Sequence, residues 1–202
     1  RGDLPALESP APIVQAPTAV HFERDTAQTH IVIGSSAFPH SDVRRYAMTM
    51  IGTLLGGGMS SRLFQRIREE MGLAYSVYSF QSFHVDAGMH GVYVGTTPET
   101  ARSAVEAINA ELEKLSAEGL SEEDVAAGKS QLKGQITLSL ESPTSRMYRA
   151  AGTELYGEPY RTLDDLLGLI EGIDAETVAE VCRTYYSPAR QTLVSLGPRA
   201  AA

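Results

Sequence analysis

One cysteine among 202 residues is the first thing the sequence is short of. Cys182 alone can form no internal disulfide. It also excludes a structural zinc site built from several thiolates, and it says nothing about compartment. No uncharged apolar run approaches the roughly 20 residues a membrane span needs. No basic stretch precedes an apolar one near Arg1, so no signal peptide is expected. Basic residues are also scarce: 17 Lys and Arg stand against 25 Asp and Glu, a formal charge of −8. A chain of that sign repels phosphate backbones, so nucleic acid is not an expected partner. Catalytic motifs are missing too. The five histidines form neither H-E-x-x-H nor H-x-x-E-H, in which a helix turns two metal ligands to one face. There is no G-x-S-x-G elbow, and Cys182 lacks an activating neighbour.

What is present is ordinary globular material, 43% apolar and 21% charged. A chain of this length buries roughly 70% of its unfolded surface, enough for a self-sufficient core. Residues 1–17 carry four of the ten prolines and no apolar period, and read as a linker or tail. Residues 18–202 read as one domain, with no internal repeat.

Alternation predicts a strand over Thr18–Phe22, with Val20 and Phe22 on one side. Gln28–Ser35 is richer in apolar residues and predicts a more central strand. His30 within it reads as a hydrogen-bonded strand residue. Ser41 or Asp42 is placed to cap a helix whose stripe is Val43, Tyr46, Ala47, Met50, Ile51 and Leu54. Gly56, Gly57 and Gly58 end it. Ser60 or Ser61 then caps a second helix with Leu63, Ile67 and Met71 inward, and Gly72 suits a left-handed position after it. Ala74–Phe83 and Met89–Thr96 predict an antiparallel hairpin. Pro98 falls in the first turn of a long helix closed by Gly119. Ser121, Ser142, Thr162 and Asp174 are capping positions for four more helices. Cys182 lies on the apolar stripe of the last, and Gln191–Leu196 closes the chain as a strand. Paired strands and clustered helices predict an α+β fold: a mixed, largely antiparallel sheet with helices packed on one face.

Three features carry candidate chemistry. His84, Asp86 and His90 flank a turn and could gather a metal, although polar residues at hairpin turns are usually solvated. The glycine run in LLGGGMSSRLFQ lacks the ending of a P-loop. Spacing leaves two readings open for it: a loop that approaches a ligand closely, or a corner between two helices. Arg68 and Tyr75 flank Gly72, so both side chains can reach one surface. Arginine offers a rigid fork of donors and tyrosine a hydroxyl for an oxyanion. Spacing alone reads them as a helix-surface arginine and a sheet aromatic.

The stretch LLGGGMSSRLFQRIREEMGLAYSVYSF, 27 residues long, closely resembles the signature of the second homologous half of the pitrilysin and mitochondrial-processing-peptidase family of zinc peptidases. The order of elements resembles that half over residues 18–197, and the Pro-rich start resembles the family's inter-half linker. The resemblance implies a domain that pairs with a related zinc-bearing half to enclose a proteolytic chamber for peptide substrates. It implies that Arg68 and Tyr75 reach into the partner's active site to bind substrate and support the transition state. Zinc, in the complete enzyme, then belongs to the partner half. Lacking the H-x-x-E-H motif, this chain is expected to bind no catalytic zinc and to cleave nothing alone. It is either the carboxyl-terminal half of a longer peptidase or a motif-lacking subunit of a heterodimer, and the linker-like start favours the first. A structural or assembly subunit of the same family is the alternative. An exposed chamber face favours self-association of an isolated half.

Overall fold

The computed structural model describes residues 16–198. The proposed tail therefore lies almost wholly outside the described residues. Five strands form one sheet in the order β1-β5-β2-β4-β3: β1 Ala19–Glu23, β2 Thr29–Ala37, β3 Ala74–Phe83, β4 Gly88–Thr96 and β5 Thr192–Gly197. Antiparallel ladders join β5 to β2, β2 to β4 and β4 to β3. The helices are α1 Arg45–Gly56, α2 Ala101–Glu118, α3 Glu122–Ser139, α4 Pro143–Tyr156, α5 Leu163–Glu171 and α6 Ala175–Tyr185.

Period-two alternation explains how the layers pack. Ile31 and Ile33 of β2, Val77 of β3, and Val92 and Val94 of β4 point to the helices and are buried in one cluster with α1, α2 and α6. Residues of the opposite face, Val20, Phe22, Tyr78, Met89 and Val194, are exposed. The α+β architecture with helices on one face is therefore the observed one. Helix α1 is the central helix. It touches β3 on one side and α3, α5 and α6 on others, so Met48, Met50, Ile51 and Leu55 are all buried.

The caps at Ser121 and Thr162 are full capping boxes, closed by Asp124 and Asp165. Ser142 and Asp174 accept single N–H bonds at the starts of α4 and α6. Gly72 and Gly119 adopt positive φ, as their positions after helices require.

Five expectations need correction. The first strand does not pair with the second. Instead β1 runs parallel to β5, which inserts between them; alternation within a strand carries no information on its neighbour. No face of β1 is buried, since it is an edge strand beyond the helices. Helix α1 begins at Arg45 rather than after Ser41 or Asp42. Asp42 instead accepts the N–H of Arg44 at 2.9 Å and holds its guanidinium, a local turn that leaves Val43 exposed. The second helix is a π-helix over Phe64–Glu70. Its extra residue per turn rotates Met71 out to solvent, while Leu63 and Ile67 stay buried. Neither serine caps it: Ser61 Oγ donates to Gly58 O at 2.5 Å. Pro98 precedes α2, whose cap position is Thr100.

Candidate functional site

Two irregularities of the backbone place the candidate pair. The π-helix carries Arg68 in its last turn. Its i→i+5 pattern is visible where Met71 N–H reaches Arg66 O, 3.1 Å away. Such turns concentrate at functional sites. The chain reverses at Gly72 (φ 60°) and enters β3, where the ladder with β4 slips between Ala74 and Ser76. Tyr75 is the residue at that bulge. A bulge re-aims the side chain it carries, and Tyr75 stands 76% exposed.

The pair meets. The Arg68 guanidinium lies over the Tyr75 ring at 4.8 Å and over the Phe64 ring at 4.7 Å. Its Nε faces Glu69 at 3.6 Å. Among the described residues, the terminal nitrogens of Arg68 and the hydroxyl of Tyr75 make no hydrogen bond. The two rings thus hold the guanidinium without using its terminal donors. Phe64 was not singled out from the sequence, although its spacing of four residues from Arg68 is the one at which helix neighbours touch.

The glycine corner adjoins this pair. Gly56, Gly57, Gly58 and Met59 line an open groove of about 380 Å³ with Phe64, Val77, Tyr78 and Ser79. A Cβ on Gly56 would lie 2.3 Å from Ser79 N, and one on Gly57 would lie 2.7 Å from the Thr53 backbone. Gly56 is needed for packing of α1 on β3, and Gly57 for the close turn against the last turn of α1. Gly58 meets nothing within 4 Å, so packing gives no reason for it. Gln65 Nε2 ties the loop down through Met59 O at 2.7 Å.

The remaining candidates are not brought together. His90 points to the helix side, buried, with Nε2 at 2.9 Å from Ser35 Oγ. Burial lowers its pKa to about 4, while His84 lies in the exposed turn. No group of three His, Cys, Asp or Glu residues among those described could hold a metal. The described residues do not fit a catalytic zinc. His30 Nδ1 sits 2.7 Å from Tyr93 Oη, the hydrogen-bonded strand histidine expected. Cys182 is buried on α6, and burial pushes its thiol up to about 12.

Residues 2–132 match the family described as the peptidase M16 inactive domain. The chain belongs to the M16 peptidase family. It corresponds to the inactive, carboxyl-terminal half of that family. An uncharacterized zinc protease of Streptomyces coelicolor is 37% identical over 87% of this chain and 38% of its own length. The zinc protease YmxG of Bacillus subtilis is 35% identical over 82% of this chain and 40% of its own. The chain thus spans about two fifths of these relatives. The fold agrees with a crystal structure of an M16 inactive domain from Pseudomonas fluorescens: TM-score 0.84 at 21% identity, over 95% of this chain and 46% of that one.

Proposed function

We propose that this M16 domain is the substrate-binding half of a zinc metallopeptidase. In this reading Arg68 and Tyr75 complete an active site whose zinc and general base lie on a homologous partner half. The observation that carries it is the stacked Arg68–Tyr75 pair, exposed and with its donors unspent. The guanidinium fork suits a substrate carbonyl. The hydroxyl suits the oxyanion of a tetrahedral intermediate. The groove beside Phe64, open at Gly58, accommodates an adjoining stretch of peptide. The uncovered sheet face, with Phe22, Tyr78 and Met89 exposed, suits the wall of a chamber shared with the partner.

The test joins or mixes this chain with a zinc-bearing half and compares wild type with Tyr75→Phe. Loss of an oxyanion donor typically costs about 10²–10³ in kcat, and here KM should change little. Wild-type turnover by a folded Tyr75→Phe assembly would make Tyr75 an ordinary sheet aromatic and overturn the reading.

A further inference from the structure

The link between the π-helix and β3 is three residues long, Met71, Gly72 and Leu73, and it sets how Arg68 and Tyr75 face each other. Glycine at φ 60° makes that link intrinsically pliable. Yet both ends of the Leu73 residue are held. Its N–H donates to Ile67 O at 2.9 Å, inside the π-helix. Its carbonyl accepts from Thr96 Oγ1 at 2.6 Å and lies 3.3 Å from Thr100 Oγ1.

The hydroxyls form an ordered chain. Thr96 and Thr100 are 2.6 Å apart, and Thr100 and Thr97 are 3.0 Å apart. A hydroxyl has one proton to give. Thr96 gives its proton to Leu73, which leaves Thr100 as the donor to Thr96. Chains of this kind strengthen each bond in them. Thr96 is only 2% exposed, which makes its hydroxyl costly to leave unmet. Thr100 holds the cap position of α2 but makes no capping bond with its side chain. A residue type suited to capping has its hydroxyl turned to the link instead. Thr96 also sits opposite Ala74 at the point where the ladder slips around Tyr75.

We infer that Thr96 and Thr100 are positioning residues: Thr96 clamps the Leu73 carbonyl, Thr100 holds the Thr96 hydroxyl, and together they set the Arg68–Tyr75 geometry. This rests on the proposed role of the pair for its consequence in catalysis, but the geometric part stands apart from it. Neither threonine touches substrate. They act through the link, from β4 and from the start of α2.

The experiment has two arms. In the 202-residue chain, the Arg68 Nε–H proton resonance reports the ring currents of Tyr75 and Phe64. Thr96→Val, close in shape but without a donor, should move that resonance toward the position it has in Tyr75→Leu. Thr96→Ser should restore it, and Thr100→Val should move it in the same direction by less. Val181→Ala, a core truncation on α6, should lower Tm without moving it. In the assembly with a zinc-bearing half, Thr96→Val should lower kcat by roughly 10- to 100-fold, the scale of misplacing a catalytic group, and Thr96→Ser should recover most of it. An unmoved Arg68 resonance in folded Thr96→Val overturns the inference. If Thr96→Val does not fold, an unmoved resonance in Thr100→Val overturns it equally. A moved resonance with wild-type kcat, in an assembly where Tyr75→Phe does lose kcat, also overturns the functional part. If Tyr75→Phe itself keeps wild-type kcat, the proposed function fails, while the resonance arm still decides the clamp.

Discussion

Arg68 and Tyr75 stack across an element boundary, guanidinium over ring at 4.8 Å, the one on a π-helix and the other at a β-bulge. An exposed contact of this type contributes about 0.5–1 kcal/mol, too little to maintain two backbone irregularities for stability alone. The ring and hydroxyl of Tyr75 are therefore separable. The ring orients Arg68, and the hydroxyl remains free for another partner.

That separation makes Arg68 informative. Arg68→Ala should raise KM and lower kcat together in the assembled enzyme, because a fork that holds a substrate carbonyl acts in the ground state and the transition state alike. Arg68→Lys keeps the charge but loses the plane and the fork, so it should recover little of the lost kcat/KM. Melting temperatures of both should stay near wild type, since Arg68 is partly exposed and its one ion pair among the described residues is a 3.6 Å contact with Glu69. Full recovery by lysine would reduce Arg68 to a point charge.

The glycine corner divides into two tests. Gly56→Ala must push a Cβ against Ser79 N, 2.3 Å away, which separates α1 from β3. Overpacking of this kind costs about 1–3 kcal/mol and should appear as a lower denaturation midpoint. Gly58→Ala meets nothing and has no positive φ to lose, so stability should hold within about 0.5 kcal/mol. If Gly58→Val then weakens peptide binding by the assembly at unchanged stability, the loop serves the ligand at that residue and the packing at Gly56.

Much of this was legible in the residues because local rules and tertiary outcome agree. Capping at Ser121 and Thr162 is chemistry within four residues, and the structure closes both boxes. In α2 the helical spacing of Ile108, Leu112 and Leu115 puts all three on the buried side. What was not legible is what depends on partners distant in sequence. The insertion of β5 between β1 and β2 joins residues from opposite ends of the described chain, as in Val20 opposite Val194. The π-winding that turns Met71 outward leaves no mark in a pattern that fits an α-helix equally well. At the site, spacing could place Arg68 and Tyr75 near one surface. It could not show the bulge that aims Tyr75, nor the Thr96 hydroxyl of a later strand that bonds to Leu73.

His90 sets a pH dependence. It is 4% exposed. Burial is the main cause of a pKa lowered from 6.5 to about 4, with Arg190 adding to it and a hydrogen bond to the Tyr185 backbone opposing it. The folded state thus binds the proton less readily than the unfolded state. The associated stability is complete above about pH 6.5 and is lost as pH falls toward 4, by about 3 kcal/mol in all. His90→Gln should flatten that limb in urea titrations across pH 4 to 7, at a cost in stability at neutral pH. His40, also held below its ordinary value by burial and by Arg45, acts with the same sign, so some slope should survive. An unchanged slope in His90→Gln would assign the acid limb to other groups.

Strand order makes the last prediction, which also tests the proposed division into a tail, 1–17, and a domain, 18–202. Strand β5 pairs on both edges, with β1 and with β2, and Leu193 packs on the core. Deleting 188–202 removes that strand from within the sheet and strips partners from both neighbours. The backbone groups left unpaired on β2 and the exposed core together exceed the roughly 5–15 kcal/mol by which a domain is stable, so this truncation should not fold. Strand β1 is different: it is an edge strand with every residue exposed. Deleting 1–25 should leave a folded protein with a lower Tm, because it frees one edge of β5 but uncovers no core. Deleting 1–15 stops short of Thr18, whose carbonyl accepts from Leu193 N–H at 2.8 Å, and should leave Tm unchanged. The order of the three matters more than any single value. A folded 188–202 deletion would mean that β2 tolerates an open edge. A large loss from deleting 1–15 would mean that the segment read as a tail belongs to the domain.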